Sequence, residues 1–112
     1  MLDRMPRYVR PSAEEQLEAA IDALGNRVRV AIIGHLRASG GASRAEIERA
    51  IGVAKSTVNF HLAALLELGV LSATPPLDES ARGQVIDYRV DEKRLRELID
   101  VLLASLGEAS KS

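Results

Sequence analysis

Two amphipathic helical segments, 44–51 and 55–68, are separated only by Gly52-Val53-Ala54, and this short break constrains the fold most. A connection this short gives the helices no room to run independently, so they must lie against each other as neighbours. Ser43 with Glu46 makes a capping-box pattern at the start of the first, and Gly69 closes the second. The chain then turns extended at once: 70–74 and 85–90 read as strands around the loop that begins at Pro75-Pro76.

The flanking chain reads as further helices. Ser12 and Glu15 repeat the capping box ahead of a helix over 12–24, with Ala13, Leu17, Ala20, Ile21 and Leu24 on one stripe. Gly25-Asn26 interrupts it and caps a helix over 27–38, whose stripe is Val28, Ile32, Ile33 and Leu36. Asp91 opens a last helix over 91–106, with Leu95, Leu98, Ile99, Leu102, Leu103 and Leu106 on one broad face. The expected fold class is mainly α with a small β-wing, a winged helix-turn-helix. Residues 12–106 are expected to form one domain, preceded by a weakly basic arm over 1–11 and followed by a frayed tail over 107–112.

Composition narrows the function. A chain of 112 residues supports one modest core. It has no cysteine, so disulfides, thiolate catalysis and cysteine-based metal or redox sensing are excluded. Two histidines, His35 and His61, are too few for a metal site without carboxylate help. No run approaches the roughly 18 apolar residues of a membrane span, and the N-terminal segment lacks the pattern of a signal peptide. A cytoplasmic protein is therefore expected. No nucleophile–base pair, phosphate loop or metal constellation can be read, so neither catalysis nor a cofactor is expected.

Placed on a wheel at about 100° per residue, the segment 55–68 turns Val58, Leu62 and Leu65 inward. Ser56, Asn59, Phe60, Ala63 and Glu67 fall on the opposite side. In a helix-turn-helix the second helix enters the major groove by its N-terminal half, where outward residues must be small or hydrogen-bonding. Ser56, Thr57 and Asn59 fit that demand, and Lys55 can meet a phosphate at the groove's edge.

Three stretches of this chain resemble the ArsR-type winged-helix repressors, over about residues 13–106. Leu24-Gly25-Asn26-Arg27-Val28-Arg29-Val30-Ala31-Ile32-Ile33-Gly34-His35-Leu36 aligns without a gap to the family's L-A-D-P-T-R-L-R-I-L-x-x-L. Ser56-Thr57-Val58-Asn59-Phe60-His61-Leu62, then Leu65, Gly69 and Val70, matches S-T-V-S-x-H-L-x-x-L-x-x-x-G-L/V. Asp87-Tyr88-Arg89-Val90 stands where the family closes its wing with Y-Y-R-L/V. The departure from the usual letters is Asn59-Phe60.

The resemblance implies a homodimer through the first and last helices, with Leu17, Ile21, Leu95, Leu98, Ile99, Leu102 and Leu106 at its interface. The broad apolar face of the last helix supports a dimer independently, since leaving it in water would forgo roughly 1.5–3 kcal/mol per large side chain. The resemblance also implies double-stranded DNA as the partner, read by the fourth helix while the wing touches the backbone or minor groove. The family's metal sites use cysteines near the third helix or Asp and His in the last. This chain has no cysteine and no histidine after His61, so no metal is expected.

Individual residues carry sharper expectations. Arg29 falls inside the apolar stripe of its helix, where a charge needs a partner, and is expected to be partly buried and to brace the helix-turn-helix. His61 is expected to be structural, and His35 to lie at the surface. Phe60 and Asn59 invite an A/T-containing half-site, by apolar contact with thymine methyls and a bidentate amide–adenine pair. A ring partly covered at the helix edge is the alternative for Phe60. Arg44 is a further candidate DNA contact, and Arg82, beside Gly83, the candidate wing-tip contact, although Asp78 and Glu79 share that loop. Arg4, Arg7 and Arg10 could follow the DNA as arm contacts, or the arm could be a leader without a role.

Charge gives weaker support. The formal net charge is −1, and Arg44, Arg49 and Lys55 are matched by Glu46, Glu48 and Glu67. The leading expectation is a dimeric, sequence-specific transcriptional regulator, most often a repressor in such proteins. The alternative is a winged-helix protein-interaction module with weak or no DNA binding. Nothing in the sequence marks a pocket for a small-molecule effector.

Overall fold

A computed structural model of the chain describes residues 12–77 and 83–107. Its elements are α1 (Ala13–Leu24), α2 (Arg27–Ser39), α3 (Arg44–Ile51), α4 (Lys55–Glu67), β1 (Leu71–Thr74), β2 (Asp87–Val90) and α5 (Glu92–Ser105). The order is the expected one, and the fold is mainly helical with a two-stranded antiparallel hairpin.

Local chemistry sets most helix starts. Ser12 and Ser43 each form a complete capping box, their hydroxyls accepting from the backbone N–H of Glu15 and Glu46 at 3.0 and 3.2 Å. The Glu15 and Glu46 carboxylates each accept in return from the cap's own N–H at 2.8 Å. Asn26 accepts from the N–H groups of Val28 and Arg29, and Asp91 from that of Arg94. Capping by Ser12 and Asp91 places both just outside their helices, so the expected spans 12–24 and 91–106 become 13–24 and 92–105. The span 27–38 extends to Ser39, and 55–68 ends at Glu67.

Both strands are shorter than expected, for identifiable reasons. Val70 is claimed by the end of α4. Gly69 has φ +81°, and the N–H groups of Gly69 and Val70 donate back to the carbonyls of Leu66 and Leu65 at 3.0 Å each. This closure satisfies the helix's last carbonyls and starts β1 one residue later than expected. At the other end, Pro75-Pro76 supplies no N–H to a ladder, so pairing stops at Thr74↔Asp87. Val85 and Ile86 therefore lie outside β2, and Val85 is exposed.

The sheet has one tie that the sequence did not suggest. Ala42, in the α2–α3 connection, pairs with Tyr88 through two backbone bonds of 2.8 and 3.1 Å. Tyr88 also faces Ala73 across the hairpin and is itself buried.

Ile32, Leu36, Ile47, Val58, Leu65, Val70 and Leu98 are the large residues wholly enclosed in the core. They come from α2, α3, α4, α5 and the turn before β1, so one apolar cluster fixes α4 against its neighbours. Arg94 adds a polar clip there, its guanidinium donating to the Leu68 carbonyl at 3.0 Å and to Gln16 Oε1 on α1 at 3.2 Å.

Two residues expected at a dimer face belong to this core instead. Leu95 and Leu98 are buried within the chain, because the first turns of α5 pack inward. Of the others, Ile21 and Leu106 are exposed, while Leu17, Ile99 and Leu102 are half-buried. Leu103 is also exposed. No helix among the described residues is long and apolar enough to cross a membrane.

Candidate nucleic-acid interface

Helix α4 divides into the two faces that its sequence requires. Val58, Leu62 and Leu65 are buried, and His61 joins them. Lys55, Ser56, Asn59 and Phe60 are exposed, and Thr57 is half-buried. Five of the candidate contacts thus sit together on the first two turns of one helix. Arg44 is less free: it is half-buried and paired with Glu48 one turn further along α3, which offsets its charge. Arg82, Arg4, Arg7 and Arg10 lie outside the described residues.

The start of α4 differs from every other described helix. Its N-cap is Ala54, which offers no side-chain acceptor, whereas Ser, Asn, Ser and Asp cap the other four. The first N–H groups of α4 are therefore left for solvent or an anion, at the positive end of the helix dipole. An Ala-Lys start in place of Ser, Thr, Asp or Asn was the available sequence signal for this feature.

Behind the exposed face is a buried polar link. Arg29 on α2 is only 6% exposed. Its Nε donates to His61 Nδ1 at 2.9 Å, and its Nη1 donates to the Asp22 carbonyl at 3.0 Å and to Asp22 Oδ1 at 2.8 Å. This network joins the end of α1, the start of α2 and the middle of α4. Because His61 accepts at Nδ1, the ring is neutral with its proton on Nε2. Burial, and secondarily the adjacent Arg29 cation, hold the His61 pKa below the ordinary histidine value of 6.5. Arg29 Nε and His61 Nδ1 are thus engaged with each other, and Arg29 Nη1 with Asp22. Among the described residues, no three His, Asp or Glu side chains cluster closely enough to hold a metal ion.

Phe60 stands on top of this link. The ring is 65% exposed, yet it meets the His61 ring edge-on, with centroids 5.2 Å apart and planes at 72°. The Arg29 guanidinium carbon lies 5.8 Å from its centroid, within cation–π range.

Tyr88 on β2 lines a cleft with Ser43, Arg44 and Ala45 at the α3 N-terminus, and burial pushes its hydroxyl pKa up while the Arg44 charge opposes the rise. On β2, exposed Arg89 pairs with Asp87 at 2.6 Å, so this cation too has a carboxylate beside it. His35 is half-buried rather than fully at the surface, beside a shallow cleft lined by Ser39, Glu46 and Arg49.

Residues 24–72 match the model of a helix-turn-helix domain family. Several solved structures share the fold. An ArsR family transcriptional regulator superposes with a TM-score of 0.65 at 22% identity, over 91% of this chain and 92% of that one. NolR from Sinorhizobium fredii gives 0.61 at 20% identity, over 93% of this chain and 100% of its own. The transcriptional repressor BigR from Xylella fastidiosa gives 0.58 at 21% identity, over 87% and 91%. No curated protein matches the chain in sequence. The fold resemblance read from the sequence therefore extends to solved regulators of the ArsR type.

Proposed function

We propose that this protein is a dimeric, sequence-specific DNA-binding transcriptional regulator, acting as a repressor by occluding a promoter. The observation that carries the reading is the outer face of α4. Lys55, Ser56, Asn59 and Phe60 are exposed together above an N-terminus whose backbone donors have no side-chain cap. Unfilled N–H groups at a helix start suit a phosphate oxygen, and short polar side chains beyond them suit base edges. The helix-turn-helix match over 24–72 and the fold shared with repressors support the same conclusion.

Dimerisation is assigned to the apolar surface that remains on α1 and α5, centred on Ile21, Leu103 and Leu106, with Leu17, Ile99 and Leu102 beneath it. Two copies related by a twofold axis would set their α4 helices about 34–36 Å apart, on successive major grooves. Arg82 and the arm residues Arg4, Arg7 and Arg10 are assigned to backbone contacts on charge alone. Arg44 and Arg89 are already paired with carboxylates, so these two should add little to the salt dependence of binding.

The test is selection of bound duplexes from a random-core pool, followed by footprinting. Enrichment of a site with twofold symmetry supports the reading. A chain that enriches no sequence is not a sequence-specific regulator, and exposed Phe60 with a net charge of −1 would then favour a protein-interaction module.

A further inference from the structure

We infer that Phe60 is a specificity-determining residue that reads the C5-methyl group of thymine in the major groove, with Asn59 beside it pairing the neighbouring adenine. The inference rests on α4 entering that groove, and it names the base that the helix selects.

Phe60 is the only phenylalanine of the chain, and 65% of it faces solvent on the side of α4 away from the core. An exposed aromatic ring is ordinarily free to change rotamer, which dilutes any directional contact. Here the ring is restrained from below by two buried residues. His61 meets it edge-on at 5.2 Å, and the Arg29 guanidinium lies 5.8 Å from its centroid. Those two are themselves fixed to each other by the 2.9 Å hydrogen bond. The ring thus rests against these two residues on one side, with its outer surface open. Such a surface has no hydrogen-bonding capacity toward a base edge. In the major groove the one methyl group on a base edge is that of thymine, bulkier than the C5–H of cytosine.

Asn59 is exposed next to it, and a carboxamide can both accept from adenine N6 and donate to N7. Methyl contact and amide pairing are thus supplied by adjacent residues. They suit an A/T step and would leave a G·C pair with an unmatched contact at both positions.

The experiment uses the full chain and the duplex it enriches from a random-core pool. That duplex is resynthesised with each thymine replaced, one at a time, by uracil, which removes only the methyl group. Binding is read by fluorescence anisotropy for wild type, Phe60→Ala and Phe60→Leu, with thermal denaturation as the check on folding. At one or more thymines in each half of the site, uracil should weaken wild-type binding about fourfold. Phe60→Ala should bind the thymine and uracil duplexes equally while still unfolding in one cooperative thermal transition. Phe60→Leu, which keeps an apolar surface, should retain part of the discrimination.

Wild type that is indifferent to uracil at every position overturns the inference while leaving DNA binding intact. Phe60→Ala that keeps the wild-type response to uracil overturns it equally. If no duplex is enriched, the DNA-binding reading falls and this inference with it.

Discussion

Arg29 and His61, 32 residues apart in sequence, share one buried hydrogen bond from guanidinium Nε to imidazole Nδ1 at 2.9 Å. It connects the start of α2 to the middle of α4 behind the face assigned to DNA. Arg29 also reaches α1 through Asp22, so one side chain ties three helices.

Replacing Arg29 by Ala should therefore cost stability well beyond a surface substitution. The ion pair itself contributes little, because the Asp22 side chain is 60% exposed. The larger loss is at His61, whose buried Nδ1 would have no donor, a penalty of about 1–3 kcal/mol. Thermal denaturation should show Tm falling by about 5–15 °C. Unchanged Tm in Arg29→Ala would mean the bond braces nothing.

His61 gives the fold a defined acid sensitivity. Its folded-state pKa is lowered from 6.5, so above that value it is neutral in both folded and unfolded chains and adds no pH dependence. As pH falls below 6.5 the unfolded chain takes up a proton that the folded chain resists, and stability declines. The decline ends once pH passes the lowered folded value. His61→Gln, which keeps an acceptor and cannot titrate here, should be measured beside wild type by denaturant unfolding. The difference between the two should shift against wild type below pH 6.5 and stay flat above it.

Ala54 offers a gain of stability with a loss of function. Its backbone has φ −65° and ψ 153°, close to the capping geometry of Ser12 at −72° and 165°. Ala54→Ser and Ala54→Asp should each supply the missing acceptor and stabilise the chain by about 1 kcal/mol. Asp should also weaken DNA binding more than Ser, by placing a negative charge at the proposed phosphate position. Equal DNA affinity for wild type and Ala54→Asp in anisotropy titrations would remove the α4 N-terminus from the interface.

The assigned dimer surface can be broken without touching the core. Ile21 and Leu106 are 48% and 80% exposed, so Ile21→Glu with Leu106→Glu should leave the fold intact. Sedimentation should find this variant monomeric where wild type is dimeric, with DNA binding reduced. A wild-type chain that sediments as a monomer at all concentrations would refute the assignment.

How much of this is legible in the sequence depends on distance along the chain. The capping boxes at Ser12 and Ser43 involve residues three apart, and the structure contains both as expected. Arg29 declares itself by falling inside an apolar stripe. Its acceptor cannot be read, because nothing local links positions 29 and 61. Arg94 pairs with Glu97 at a readable spacing of three, but its longer reach, to the carbonyl of Leu68 and the Gln16 amide on α1, gives no local signal. The pairing of Arg44 was within reach: Glu48 stands four residues on, the spacing at which helical side chains meet.

The apolar face of α5 shows a different limit. A leucine facing its own core and one facing a second copy carry the same letter. Leu95 and Leu98 can be told from Leu103 and Leu106 only once α5 is placed against the core. The strand ends differ from expectation for another reason. Val70 and Val85 have the side chains of strand residues, but backbone bonding decides where pairing begins and ends.

Tyr88 bonds to Ala42 on one side and sits opposite Ala73 on the other, so the base of the hairpin is bolted to the connection between α2 and α3. That connection leads directly into the helix-turn-helix. Opening the hairpin away from its protomer would require breaking the two Ala42–Tyr88 backbone bonds. In the proposed dimer, a hairpin held in this way leaves variation in the distance between the two half-sites to the contact between copies, or to bending of the DNA.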